Sequence, residues 1–351
     1  MARSGRLSAT FDAPAYPATI ERATLDTRAG TMRLRELVLW PSYSPAQLNR
    51  RKGYQVTQVR IRMPELRAQG FDFYLLSDNS HLRVARVVAE KPWLSLGSDG
   101  RAPIDPHQSV LTPEAVRKLR AHVDVARFDI HNGTIYTTFR GRQTPQVGKF
   151  TISELNATLR NLSNDPRRQS LAHPLTGEAT ALVEGRSRLQ ARLTAPLLDA
   201  RGRHHLWGSF GAAPLAILNR ITVPTKLLGF KDGEIQRISF NMRIDRRQTS
   251  GTMQAQYTDL KFELYNYKDG ELKKPLFTRL KTGVVNLVVR DNNPRPGGRF
   301  VTGDMTSRRQ LVSSVFSAWR QGLMTGLLHS AGVPQKMAQK LSQGKNTTPI
   351  D

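Results

Sequence analysis

Few residues of this 351-residue chain have the type and spacing to do chemistry. Eight histidines occur, and the adjoining pair, His204 and His205, would point to opposite faces of a strand and could not hold one metal ion together. Asp129 and Glu154 are the carboxylates one could pair as general acid and base, yet nothing in their spacing brings them together. "GKFT" at Gly148 lacks the upstream glycine of a phosphate loop and sits inside a strand-like alternation. No HExxH, GxSxG or GxGxxG arrangement occurs, and without cysteine there is no thiol nucleophile, disulfide framework or cysteine zinc site. Asn156 and Asn161 open glycosylation sequons, which matter only in a eukaryotic secretory setting. The expectation is a protein that is not an enzyme and has neither catalytic residues, cofactor nor metal.

What could position a function other than catalysis is charge and pattern. Against 28 Asp and Glu stand 53 Lys and Arg, a net +25, so the surface should attract nucleic acid, anionic lipid headgroups or polyanionic glycans. Most of the basic residues alternate singly with apolar ones, as in "MRLREL", "VRIRMPEL" and "LRVARV", which is how the solvent face of a strand looks. Denser blocks are few, such as "NRRKG" (Asn49 to Gly53) and "DRRQ" (Asp245 to Gln248). No RNA-recognition consensus, zinc finger or clear helix-turn-helix pattern accompanies the charge. Apolar content is lean, 38% with 7% aromatic, but its ordered pattern argues for a folded chain. No run of about 18 apolar residues occurs, and Met1 to Pro14 lacks the apolar region of a signal peptide.

The elements follow from period-two alternation bounded by turn residues. Strands are expected at "TIERATLDT", "GTMRLRELVLW", "YQVTQVRIRMPEL", "GFDFYLL", "HLRVARVV" and "WLSL", between Thr19 and Leu96. A Gly, Pro and Asp-rich break at Gly97 to Val110 precedes a short linking helix at about 112–121, with Thr112 as N-cap and Pro113 first in the helix. Strands resume at "ARFDIHNGTIYTTF", "VGKFTISELNATLRNLS", "GEATALVEG", "RLQARLTAPLL" and "RHHLWGSFG". The Pro-interrupted segment Ala212 to Phe230 reads as loop or helical turns. A hairpin over Arg237 to Asn266, turning at Thr249 to Gly251, and a strand at "TRLKTGVVNLVVRDNN" come next. An amphipathic helix at about 307–330 carries Val312, Val315, Phe316, Trp319, Leu323 and Leu327 on one face, and a disordered tail closes the chain.

One irregularity repeats. In the hairpin, Ile238, Phe240, Met242 and Ile244 share a face, and Met253, Ala255 and Tyr257 alternate likewise until parity flips at Leu260, Phe262 and Leu264. The same flip, three residues from the last apolar position and just after an acid, occurs from Leu34 to Leu37, Met63 to Leu66 and Ile152 to Leu155. A β-bulge does this: an extra residue keeps the apolar set on one face while bending the strand. Four copies predict a strongly curved sheet with one continuous apolar face; an ordinary one-sided sandwich or a strand corner is the plainer alternative.

The stretches "ARFDIHNGTIYTTF…GKFTISELNATLRNLSND", "LQARLTAP…GRHHLWGSFG", "FKDGEIQRISFNMRIDRRQTSGTMQAQYTDLKFEL" and "VFSAWRQGLMTGL" together resemble the C-terminal part of bacterial AsmA-like proteins, relatives of the TamB-like repeating-β-groove proteins. The likeness runs from about Ala126 to Leu328 and is looser from Thr19 to Leu96. It implies a mainly β fold, an elongated antiparallel sheet curved into a taco-like groove, with upstream groove repeats at 1–110, an AsmA-like groove at 111–305, a helical cap at 306–342 and a disordered tail at 343–351. It further implies the periplasm of a Gram-negative cell, an inner-membrane tether that this chain does not show, and a part in moving phospholipid to the outer membrane and keeping that membrane intact.

On that reading the partners are a phospholipid or other acyl-chain lipid, an anionic membrane surface and an envelope protein partner, with no nucleic acid expected. The candidate groove lining is Ile130, Ile135, Phe150, Ile152, Leu155, Ile238, Phe240, Met242, Ile244, Met253, Tyr257, Leu260 and Phe262; for each, a closed core is the competing role. Val312, Phe316, Trp319 and Leu323 would cap the groove or lie on a membrane, where Arg308, Arg309 and Arg320 would meet headgroups. The alternatives to a lipid groove are a basic nucleic-acid-binding module, which requires clustered basic residues with exposed stacking aromatics, and a periplasmic scaffold whose core is filled.

Overall fold

Alternation in the sequence becomes strand in the computed structural model, which describes residues 1–343 apart from 80, 108, 110, 111, 120, 143, 269 and 274–289. β1 (Ala2–Ser4) and β2 (Leu7–Phe11) both lie along β3 (Tyr16–Asp26), and β4 (Thr31–Leu39), β5 (Gln58–Phe71), β6 (His81–Glu90) and β7 (Trp93–Asp99) follow. β8 (His122–Arg140), β9 (Val147–Ser163), β10 (Leu175–Val183), β11 (Ser187–Ala195), β12 (His204–Phe210), β13 (Ala213–Pro214), β14 (Leu228–Ile244) and β15 (Gln248–Leu264) continue the same sheet. β16 (Asn266–Lys268) and β17 (Glu271–Lys273) form a separate ribbon, while β18 (Thr302–Asp304) and β19 (Ser307–Arg308) finish the main sheet on β15. The protein is mainly β, and among the described residues 17 strands form one large curved sheet.

Among the described residues, neighbouring strands are antiparallel except at one place. β8 runs parallel to both β6 and β7. The long segment between β7 and β8 returns the chain to the same end of the sheet, and a crossover of that kind is what parallel neighbours need. The division expected at 110/111 falls inside this crossover, and the sheet is continuous across it.

Several boundaries move for local reasons. "GFDFYLL" is not a strand: β5 ends at Phe71, and α2 (Phe73–Asn79) begins because the Asp72 carboxylate accepts the Leu75 amide at 3.1 Å. α1 (Pro45–Lys52) was not foreseen, although Ser44 and Gln47 form a capping box with Pro45 in the first turn. The linking helix is only α3 (Pro113–Val116); its Thr112 cap is present, but the basic run after it offers no apolar face to hold a second turn.

The hairpin turns at Asp245–Arg247, not Thr249–Gly251, since the Asp245 carboxylate takes the amides of Arg247 and Gln248 at 2.7 and 2.9 Å. The Pro-interrupted segment forms β13, a 3₁₀ turn and α4 (Asn219–Lys226). The last long helix is α5 (Val315–Ser330), started by Ser314, so Val312 precedes it and Ser307–Arg308 is strand. α6 (Gln335–Gln343) takes in the first residues of the expected tail, of which 344–351 lie outside the described residues, as do 278–289 of the expected strand "TRLKTGVVNLVVRDNN".

The repeated slip is visible as a crease that crosses the sheet. Glu36 (φ 51°) stands opposite Pro64, Pro64 is level with Lys91 (φ 47°), Lys91 lies beside Asn132 (φ 52°), and Asn132 adjoins Glu154 (φ 51°) on β9. Left-handed backbone is uncommon for residues with a side chain. At "ISEL" and "YTDL" the pairing shows true register shifts, with Asp259 at φ 54°. At "LREL" and "MPEL" it does not: Arg35 pairs with Glu65 and Leu37 with Met63, so both strands flip at one level without an unmatched residue. A second crease, which no sequence repeat announces, joins Gly70 (φ 62°), Ala85, Ala126 and Asn161 (φ 61°).

Candidate functional site

Because adjacent strands flip together, apolar positions stay on one face from strand to strand. One row of paired residues runs Ala23, Leu34, Leu66, Ala89, Ile130, Ala157, Ala179, Ala191, Gly208, Phe240 and Met253, crossing β3 to β15 without a polar residue. Its middle members are small, so larger neighbours such as Leu159, Leu193 and Leu206 in the next row stand above it.

Cover over this face is unequal. Ile130, Ile135, Phe150, Ile152 and Leu155, on β8 and β9, are all half-buried. On β14 and β15 the candidates belong to a closed core: Ile238, Phe240, Met242, Ile244, Met253, Tyr257 and Leu260 are each at most 5% exposed and pack with Met305, Leu328, Ala331 and Val333. These seven therefore do not line an open face, and Phe262 packs half-buried at the margin of the same core. The reason is α5, which lies directly on them.

A Cβ on Gly322 would meet Met242 Sδ at 2.6 Å, one on Gly326 would meet Met305 Cγ at 2.7 Å, and one on Gly303 of β18 would meet the Gly326 carbonyl at 2.0 Å. Small residues thus make the closest backbone approach, and Leu327 and Leu328 of the same helix pack beside them in the core. Phe316 is 52% exposed, and Trp319 is half-buried with its indole N–H donated to His204 Nε2 at 3.1 Å. Leu323 packs half-buried against the core margin. α5 is a cap on the sheet, and no helix among the described residues is long and apolar enough to cross a membrane.

The rim is made by the other helices. Thr225 and Ile221 of α4 stand where a Cβ on Gly148, two residues before Phe150, would lie 2.7 and 2.9 Å away. At the opposite ends of the strands, Phe73 of α2 packs with Phe71, Val84 and Val125, and Val116 of α3 packs with Leu175 and Leu197. From β8 to β12 the apolar face is partly covered: Leu175, Ala181, Val183, Ala195 and Leu206 are buried, while Ile130, Ala157, Ala179 and Ala191 are half-buried.

The reverse face is polar and ionic. Asp129, 1% exposed, receives Arg86 at 2.8 Å, Arg127 at 2.9 Å and Thr158 at 2.7 Å. Burial alone would push its carboxyl up, but these hydrogen bonds together hold it well below the usual carboxylate range. Glu65 sits among Arg33, Arg35 and Arg67, and Glu90 meets Arg67 and His131. Much of the basic surface is spent in these ladders. Asp129 is thereby committed to cations and Glu154 occupies the exposed crease, so they are not an acid and base pair.

An open depression of about 580 Å³ is walled by Thr158, Glu178, Arg192 and Trp207 and by Asn156, Thr180 and Gln190, and it is lined as well by Ile130, Ala157, Ala179, Ala191 and Gly208 of the apolar row. The leucines of the apolar face take no part in it. Among the described residues no group of three or more His, Asp or Glu could hold a metal ion. His204 and His205 diverge as expected, toward Trp319 and Asn241 respectively.

Comparison with models of known protein families finds no match, and a search of curated proteins finds none.

Proposed function

We propose that the chain is a non-enzymatic lipid-binding or lipid-transfer protein of the Gram-negative cell envelope, holding an acyl chain against the apolar face of β8 to β12 and serving phospholipid movement to the outer membrane. The observation that carries this reading is the unbroken apolar row from Ala23 to Met253, half-covered in its middle. Sixteen carbons exposed to water cost on the order of 10 kcal/mol, at roughly 0.8 kcal/mol per CH₂. An apolar track removes most of that cost at each step and needs no catalytic group. The envelope setting, the inner-membrane tether of a longer protein and an envelope protein partner come with the AsmA-like resemblance.

A second reading is favoured by α5: a scaffold whose core is filled, because the helix already occupies the apolar face at β14 and β15. Mass spectrometry of the protein released from mild detergent or directly from lysate separates the two. The lipid reading expects near-stoichiometric acyl lipid; a clean apo protein supports the filled scaffold.

A further inference from the structure

The depression of about 580 Å³ is built as a channel between two rows of side chains. Residues two apart in a strand share a face, and paired residues on adjacent strands stand level. The wall through Trp207, Arg192 and Glu178 and the wall through Ser209, Gln190 and Thr180 therefore rise from the same face. Ala179, Ala191 and Gly208 sit between the walls and belong to the other face, so the floor is main chain. From His131 on β8 to Ser209 on β12 the channel runs about 19 Å at the usual strand spacing.

At one end Trp207 is a prepared platform. The His205 imidazole stacks on its indole, with ring centroids 4.4 Å apart and planes inclined by 25°, and Asn241 Oδ1 holds that imidazole through Nε2 at 2.8 Å. His205 precedes Trp207 by two residues on β12 and Ser209 follows it by two. The histidine thus backs the indole on the side away from the channel, and the other face of the ring turns toward it.

The walls add polar groups that remain open to a ligand. Among the described residues, the side chains of Gln190, Thr180 and Ser209 have no hydrogen-bond partner and Arg192 has no ion-pair partner, while Arg160 steadies Glu178 at 3.1 Å. Charge then selects the class of ligand. On a chain of net +25, the lining carries Glu178 and Arg192, of opposite sign, and His131, which faces Glu90 at 3.1 Å. A polyanion gains no net attraction from such a surface. A neutral, hydroxyl-rich chain does better: the indole takes the flat C–H face of a sugar ring, and amide, guanidinium and carboxylate groups bond its hydroxyls.

We propose that this channel binds a neutral β-linked glycan chain, with Trp207 stacking on one sugar ring and Gln190, Arg192 and Glu178 hydrogen-bonding its hydroxyls. The site lies on the opposite face of the sheet from the acyl track and does not depend on the lipid reading.

The test titrates the full chain with chitohexaose, cellohexaose and hexauridylate, followed by tryptophan fluorescence and calorimetry. At least one of the two hexasaccharides should bind in the millimolar range or tighter, and hexauridylate should not displace it. Trp207→Ala should weaken that binding roughly tenfold or more. Gln190→Ala should weaken it roughly three- to tenfold, the range one hydrogen bond supplies. Gln190 is exposed and bonds no other described residue, so its variant should melt with the parent, which separates lost binding from lost folding.

Binding of neither hexasaccharide overturns the proposal, as does binding that both variants retain in full. Hexauridylate held more tightly than either sugar, and released by Trp207→Ala, would assign the channel to single-stranded nucleic acid and overturn it as well.

Discussion

Lys91, in the link between β6 and β7, lies beside Asn132 of β8, both in left-handed backbone at φ 47° and 52°, with the Lys91 amide donated to the His131 carbonyl at 2.8 Å. Side by side, they carry the crease from the β6–β7 junction into β8. Sheet curvature here is thus a property of neighbouring strands in concert, and single bulges account for only part of it.

The crease stores backbone strain that glycine would relieve. Asn132→Gly should leave stability unchanged or raise it, whereas Asn132→Val should cost about 1–2 kcal/mol, because a branched side chain tolerates left-handed backbone poorly. Urea unfolding of the two variants against the parent measures this, and equal loss from both would show that the side chain's contacts matter more than its φ.

The seat of α5 should discriminate by what each glycine faces. At Gly322 the obstruction is the flexible Met242 thioether, so Gly322→Ala should cost on the order of 1 kcal/mol. At Gly303 it is the Gly326 carbonyl, backbone that cannot turn aside, and Gly303→Ala should cost about 3 kcal/mol or detach the helix. Near-ultraviolet circular dichroism of Trp319 reports detachment.

Asp129 should govern acid stability of the N-terminal half. Its carboxyl is depressed in the folded state, so its contribution is present above the ordinary carboxylate pKa near 4 and is lost as pH falls below it. Asp129→Asn should lower stability at pH 7 by roughly 3 kcal/mol, since Arg86 and Arg127 lose their partner. Below pH 4 the gap between variant and parent should narrow, which denaturant midpoints at pH 7 and pH 3 would show.

Lys226 should work in the opposite direction. Burial first, and then the Arg320 charge, lower it to about 7, while the unfolded chain keeps an ordinary lysine value. Below about pH 7 both states are protonated and the cost of the buried charge is fully felt; from there to about pH 10 the unfolded state binds more protons, so stability rises with pH. Comparing pH 6.5 with pH 9.5, the parent should gain on the order of 2 kcal/mol that Lys226→Met does not gain.

Sequence alone disclosed the strands well, because a sheet with one apolar face writes its period into every strand. It disclosed the first crease only where an acid marks it, in "LREL", "MPEL", "ISEL" and "YTDL"; the crease at Gly70, Ala85, Ala126 and Asn161 has no shared residue type and is legible only in the pairing. "GFDFYLL" misled because its aromatic content favours strand, while the one residue that decides, Asp72, acts as a cap. The apolar residues from Ile238 to Leu260 pack together in one core, but periodicity cannot tell whether a face meets ligand or helix. The signal for helix was Gly322 and Gly326, four apart on α5, which mark a close backbone approach that large apolar residues would prevent.

The central claim is that the apolar face of β8 to β12 holds an acyl chain, and neighbouring residues of β10 test it most directly. Ala179 belongs to the apolar row, and Thr180, its neighbour along the strand, points to the opposite face. A photo-crosslinking residue placed at each, irradiated in living Gram-negative cells, should give lipid adducts by mass spectrometry at Ala179 and none at Thr180. Adducts at both positions alike, or at neither, would contradict a lipid track on this face.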